Sequence, residues 1–120
     1  MTGDGRERRE SGMVSAELAV SLVTLLLVLA IVLGVLRAGM DRSAAVSAAG
    51  VLAREAARGG ATATVWGELR RGLPPGATMS VTDAGALVRV RVRVPVSAGI
   101  AGPLLPEAVE AEVIAVQERP

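Results

Sequence analysis

The segment Val88–Val96, VRVRVRVPV, is the stretch from which the fold can be worked out. Valine occupies every second position, and Arg89, Arg91 and Arg93 stand between the valines. Successive side chains of a β-strand point to opposite faces, so this alternation predicts a half-buried strand with valine on one face and arginine on the other. Another part of the chain must therefore cover the valine face.

Two further strands are predicted beside this one. The segment before it has turn residues at Asp83-Ala84-Gly85, which indicates a β-hairpin. The segment AVEAEVIAVQE near the C-terminus alternates again, and we expect its acidic row to pair with the arginine row. Its inward residues are Val109, Ala111, Val113 and Ala115, and its outward acids are Glu110, Glu112 and Glu118.

Helical patterns precede the strands. The alanine-rich segment 37–60 favours a helix that ends at Gly59-Gly60, and apolar residues at helical steps predict a second, short helix before Pro74. We expect the larger apolar residues of the first helix to form a stripe that covers the valine face, and Asp41 and Arg42 to lie in solvent. The stripe residues are Val35, Met40, Val46, Val51 and Leu52; those of the short helix are Val65, Trp66, Leu69 and Leu73.

The segment Leu18–Leu36 contains no charged residue and has the length that a bilayer span needs. One helix from Met13 to Arg58 would contain both this span and the alanine-rich segment. Three arginines precede the span and three follow it within about 20 residues, so charge does not orient it. We expect the short N-terminal side to stay in the cytoplasm, because long C-terminal segments translocate largely regardless of charge.

Composition excludes most catalytic chemistry. The chain has no His, Cys, Tyr or Lys, its net charge is +1, and Trp66 is its one aromatic residue. General acid–base groups other than carboxylates are therefore missing, as are the usual zinc ligands. We expect no enzyme, no cofactor, no metal, no small-molecule substrate and no nucleic-acid partner. Trp66 is expected to be a core or interface anchor, with a place at the membrane surface as the alternative.

The N-terminal segment Met1–Gly12 is charged and glycine-rich, and we expect it to be disordered or a processing segment. A cut between Gly12 and Met13 would make Glu17 the fifth residue of the mature chain. This placement resembles the signal of a type IV prepilin, in which the cut precedes the apolar helix. The new amine of a neighbouring subunit could then pair with Glu17 and set the register of packed helices.

Nearly the whole chain from Gly12 onward resembles TadE-type minor pilins of actinobacterial tight-adherence (Flp) systems. The resemblance rests on GMVSAELAV, LAREAARGG, LRRGLPPGA, VRVRVRV and the terminal acidic strand. It implies cleavage after Gly12 by a prepilin peptidase, and a role in assembling a thin adhesive pilus with other pilins and pilus assembly proteins. The chain departs from many pilins in having Met13 instead of Phe, and from major Flp pilins in having Leu18 instead of Tyr.

The fold expected is α+β: a long N-terminal transmembrane helix continues as an amphipathic helix packed on a small three-stranded antiparallel sheet. The expected parts are a leader (1–12), a membrane span (13–36), an amphipathic extension (37–60) and a small extracytoplasmic domain (61–120). The alternative is an uncleaved single-pass membrane protein with an adaptor domain, in which the Gly12/Glu17 pattern arises by chance. A secreted domain with an ordinary signal peptide fits worse, because the apolar run is too long.

Overall fold

A computed structural model describes residues 3–118, and these residues form the expected α+β arrangement. Met1 and Thr2 of the expected leader, and Arg119 and Pro120 at the C-terminus, lie outside the described residues. Helix α1 is followed by a short helix α2 and by three antiparallel strands in the order β1-β2-β3. The bounds are α1 Gly3–Ala57, α2 Thr62–Leu69, β1 Thr78–Ala84, β2 Leu87–Pro95 and β3 Ala108–Val116, with 3₁₀ turns at Arg70–Gly72 and Gly99–Leu104.

Helix α1 begins ten residues earlier than the Met13 start that the sequence predicts, so the expectation of disorder is wrong for residues 3–12. Glu and Arg are good helix formers, and this segment extends a helix that is already nucleated. Asp4 lies in the first turn, and its carboxylate is 3.9 Å from the guanidinium of Arg8 one turn later. Both side chains are exposed, so this ion pair contributes little.

The C-terminal end of α1 lies within a residue of the predicted one. Gly59 has φ +73°, and the N–H groups of Gly59 and Gly60 donate to the carbonyls of Ala56 and Glu55. These two bonds form a Schellman motif, which supplies partners to carbonyls that the helix leaves open. Glycine suits the left-handed conformation because it has no Cβ.

Strand β2 is the centre of the sheet, and Val90 pairs with Val81 on one side and Val113 on the other. The hairpin turn is Gly85-Ala86, with Gly85 at φ +74°. A glycine with positive φ at the first of two turn residues is typical of a type II′ turn, and the twist of this turn matches that of the flanking strands. The prediction of a turn at Asp83–Gly85 is therefore displaced, because Asp83 and Ala84 still pair within β1.

The valine face of β2 is buried against α1, as the alternation predicts. Val88, Val90, Val92 and Val94 are at most 1% exposed, and alanines of α1 lie over them. The chain thus covers its valine face with the second half of its own long helix. The helix residues in this core are Ala45, Ala48, Ala49, Leu52, Ala53 and Ala56.

The predicted stripe on α1 is wrong for its three N-terminal members. Val35, Met40 and Val46 are 49%, 68% and 50% exposed, whereas Leu52 is fully buried. The helix instead turns its alanines toward the sheet. Alanine lets a helix backbone approach closely, and the valines of the sheet fill the remaining space at the density of a protein interior.

The short helix closes one side of the core. Val65, Trp66 and Leu69 of α2, and Leu73 after it, are half-buried and pack against the buried cluster. The prediction of a short amphipathic helix is confirmed. Trp66 is a core residue of the small domain, as expected.

Candidate functional site

The residues of the predicted processing site lie on the exposed surface of α1. The helix is continuous through Gly12 and Met13, and Met13 is 73% exposed. A Cβ added to Gly12 would meet nothing within 4 Å. The structure therefore brings no other described part of the chain to this segment.

Glu17 is exposed on the same helix, one turn after Met13. Four residues correspond to about 6 Å of axial rise, so the two residues lie on one face. Among residues 3–118, no arginine lies within ion-pair distance of the Glu17 carboxylate. Its charge is thus presented outward, next to the apolar residues Val14 and Leu18.

The segment that follows Glu17 is exposed although it is strongly apolar. Helix α1 is long and apolar enough to cross a membrane, with a mean hydropathy of 3.0 in an 18-residue window of which 6% is buried. The hydroxyl of Thr24 donates to the carbonyl of Val20 at 2.9 Å. This bond gives the hydroxyl a partner inside the helix, which is the condition for placing it in an apolar environment.

Asp41 is buried, and the prediction that it lies in solvent at the end of the span is wrong. The residue is 5% exposed, and its Oδ1 lies 3.7 Å from Nε of Arg37 one turn earlier. Its Oδ2 is buried without a hydrogen-bond partner. The four-residue spacing from Arg37 predicts the pair, but the sequence does not show that the loop after α2 comes to cover it.

A cavity of about 390 Å³ lies at this place, between α1 and the loop after α2. Arg37 and Asp41 line it from the helix, and Arg71 and Pro74 line it from the loop. Two arginines and one acid make its lining mixed in charge. Asp41 thus lines this cavity beside the loop, and its ion pair is with Arg37 of its own helix.

The outward face of the sheet contains the predicted ladder of arginine and glutamate. Glu112 lies 3.3 Å from Arg89 and 2.9 Å from Arg91, and Arg93 lies 3.6 Å from Glu110. The hydrogen bond from the Arg91 guanidinium lowers the pKa of Glu112 and raises the pKa of Arg91. Each of the three arginines has a glutamate of β3 within ion-pair distance, which fits a solvated face of the sheet.

No group of three or more acids close enough to hold a metal ion occurs in the part of the chain that the structure describes. Comparisons of the chain with protein-family models, curated proteins and solved structures find no match. The function must therefore be argued from the placement of this chain's own residues.

Proposed function

We propose that this chain is a TadE-like minor pilin of a tight-adherence (Flp) type IV pilus system. In this proposal α1 crosses the cell membrane with residues 1–12 in the cytoplasm, and the small α+β domain lies outside. The observation that carries the proposal is Glu17, an exposed acid immediately before the exposed apolar run of α1 and five residues after Gly12. The chain would help to assemble the pilus or to make it adhere.

Cleavage between Gly12 and Met13 is supported by the local properties of the helix. A peptidase needs an extended substrate, so the helix must open at the bond that is cut. Gly12 favours opening, since glycine destabilises a helix interior by about 1 kcal/mol relative to alanine. The segment is also free of tertiary contacts that opening would break.

Glu17 is then suited to set the register of packed helices. A charged acid in a membrane helix is costly, by roughly 2.5–3.5 kcal/mol at the centre and less near the end. The α-amine created at Met13 of a neighbouring subunit offers a partner of opposite charge. An unpaired Glu17 would be penalised and a paired one stabilised, so assembly would favour one axial position.

We propose no catalytic role, no cofactor and no small-molecule substrate. The partners in this proposal are the membrane, a prepilin peptidase, and other pilins and assembly proteins of the same system. The basis is chemical: without His, Cys, Lys or Tyr, the chain has only carboxylates to act as general acids or bases.

The second candidate is an uncleaved single-pass membrane protein whose outer domain acts as an adaptor. The continuity of α1 from Gly3 through Met13 favours it, because an uncut helix would extend the anchor on the cytoplasmic side. The two candidates share one membrane placement and differ in whether the first twelve residues are removed.

Intact mass of the chain, expressed together with a prepilin peptidase, separates the candidates. We expect loss of Met1–Gly12 from the wild type and retention of this segment in Gly12→Val. Gly5→Val is the matched control, because Gly5 also lies in an exposed helical segment with open space around it, and it should still be cut. A wild-type chain that stays intact would exclude the minor pilin and leave the uncleaved anchor.

Glu17→Ala tests the register role in a strain that assembles the pilus. We expect normal cleavage but a roughly tenfold or greater loss of the chain from sheared pili, because 1.4 kcal/mol is tenfold and an unpaired buried amine costs more. Glu10→Ala is the control, since Glu10 belongs to the removed segment. Normal incorporation of the Glu17 variant would contradict the register role while leaving the processing result intact.

A further inference from the structure

The connection between β2 and β3 packs against α1 inside the apolar part of the helix. Gly34 of α1 is buried, and a Cβ built on it would lie 2.5 Å from the carbonyl oxygen of Ala98 and 2.8 Å from Cβ of Ala101. Such contacts are possible only because position 34 has no side chain. The connection is therefore held against α1 within the uncharged run Leu18–Leu36.

This connection carries one charged residue, Glu107, immediately before β3. Residues 96–106, here called the apolar loop, contain no Asp, Glu, Arg or Lys. Ala101 faces α1 and is fully buried, whereas Ile100 and Leu104 are 60% and 71% exposed. The loop thus packs its small residue Ala101 against α1 and leaves the large apolar side chains of Ile100 and Leu104 exposed.

The height of the apolar loop along α1 follows from the helix geometry. Gly34 precedes Arg37, the first charged residue after the uncharged run, by three residues or about 4.5 Å of axial rise. If Arg37 marks the water side of the span, the loop lies just below that level. Amphipathic segments that bind in the membrane interface bury their apolar side to about 5–10 Å, and the shallow end of this range is close to the depth of the loop.

We infer that the apolar loop inserts into the outer leaflet of the membrane beside α1, with Ile100 and Leu104 among the lipid chains near the headgroups. The inference rests on the membrane placement of α1 in the proposed function. The small domain would then be attached to the membrane at two places, through α1 and through the apolar loop. The sheet's membrane-proximal end is thereby held against the bilayer surface.

Lipid fits the loop better than a protein partner does, because the loop continues the apolar surface of the proposed span without an intervening charge. Part of its backbone is also hydrogen-bonded within the loop. The N–H of Ala101 donates to Ala98 O at 3.1 Å, the N–H of Leu105 donates to Gly102 O at 3.1 Å, and Pro103 has no N–H. Satisfied backbone donors lower the cost of leaving water.

The absence of cysteine from the chain allows a direct test with single-cysteine variants of the full chain. Leu104→Cys reports on the loop, Val28→Cys on the proposed span, and Thr82→Cys on the exposed face of β1. Each variant receives a thiol-reactive fluorophore and is reconstituted in phosphatidylcholine–phosphatidylglycerol vesicles. Iodide in the water and nitroxide-labelled lipids then serve as two quenchers, and Trp66 emission checks that each variant is folded.

We expect the label at Leu104 to lose the iodide quenching seen at Thr82 and to be quenched by lipids with a shallow nitroxide. The label at Val28 should be protected from iodide as well, with stronger quenching by a deep nitroxide. Ile100→Cys should reproduce the result for Leu104, because both side chains are exposed on the same loop.

Three other results would overturn the inference, and they are distinguishable. Iodide quenching of the Leu104 label as strong as at Thr82, with Val28 protected, would place the loop in water and leave the proposed span intact. A Leu104 label protected from iodide but not reached by lipid quenchers would mean that protein covers the loop. Iodide access to Val28 would remove the span and the loop insertion together.

Discussion

The two halves of α1 belong to one continuous helix but meet different surroundings. In the first half, residues 13–33 have large apolar side chains on all sides, and most of these side chains remain exposed. In the second half, from Gly34 to Ala57, the buried residues other than Asp41 and Leu52 are glycine and alanine. Both halves present apolar side chains, although the second half also contains charged residues, so the presence of apolar surface alone does not explain which half packs on the sheet.

The difference teaches that side-chain size selects the half that folds onto the sheet. Small residues on one face let the helix approach the valines of β2 closely enough to exclude water. A helix that is apolar all round has no such preferred face and is suited to lipid or to other helices. The predictions below test this contrast, beginning with the largest expected effect.

The substitution Ala49→Leu should break the packing of the second half. Ala49 is fully buried against the sheet, and overpacking a core typically costs 1–3 kcal/mol, so we expect about 3 kcal/mol for three added carbon atoms. The measurement is thermal unfolding of the full chain in detergent micelles, followed by Trp66 emission. Trp66 reports on the domain because it packs against the same core.

The matched control is Val46→Leu on the same stretch of helix. Val46 is 50% exposed, so we expect a change within about 0.5 kcal/mol. Equal destabilisation by both variants would show that the face of α1 toward the sheet is not defined by alanine. Side-chain size would then not explain why the second half of α1, and not the first, packs on the sheet.

The pair Gly34→Ala and Gly39→Ala tests where the packed half begins. A methyl group at position 34 must displace the backbone carbonyl of Ala98, whereas position 39 has open space within 4 Å. Both variants gain the same helix propensity, so they should differ by the overpacking cost at position 34 alone, roughly 1–3 kcal/mol. Equal thermal midpoints would contradict the close contact of the apolar loop with α1.

The smallest effect is expected on the charged face of the sheet, at Glu112→Gln. The pKa of Glu112 is lowered in the folded chain, chiefly by the hydrogen bond from Arg91. Its stabilising contribution is therefore present above pH 4.5, the ordinary glutamate value, and is lost as the pH falls through the lower folded pKa. The thermal midpoints of wild type and variant should differ slightly at pH 7 and converge in acid.

The control for this prediction is Glu107→Gln. Glu107 is exposed and belongs to none of the ion pairs found among residues 3–118. We expect its variant to keep the wild-type thermal midpoint at pH 7, because the substitution removes none of these ion pairs. If the thermal midpoints of Glu112→Gln and wild type differed by the same amount down to strongly acidic pH, the stabilisation could not come from the charge of Glu112.

The parts of the fold that could be predicted from the sequence are those with a local pattern. Alternation predicts the inward valines of β2 and the arginine–glutamate pairs on the outer face, because the strand period does not depend on what lies above the sheet. The end of α1 follows from Gly59-Gly60, whose conformation is a property of the residue itself. For the candidate site, the sequence predicts the positions of Gly12, Met13 and Glu17 on one apolar helix, and their roles stay predictions.

Other features could not be predicted because they depend on partners distant in sequence. Asp41 is buried by a loop some thirty residues later, and its spacing from Arg37 gives no sign of that cover. The apolar loop meets Gly34 across more than sixty residues of chain. Hydrophobic periodicity predicts neither contact, because it compares a residue only with its neighbours along the chain.

By itself, the sequence determined a long apolar helix, a valine-faced strand and the need to cover that strand. Only the tertiary structure decided which face of α1 supplies the cover: the alanine face packs, and the larger residues Val35, Met40 and Val46 stay outside. The physical reason is that hydrophobic periodicity ranks faces by apolar area, whereas close packing of a helix on a sheet is limited by the volume that each side chain occupies.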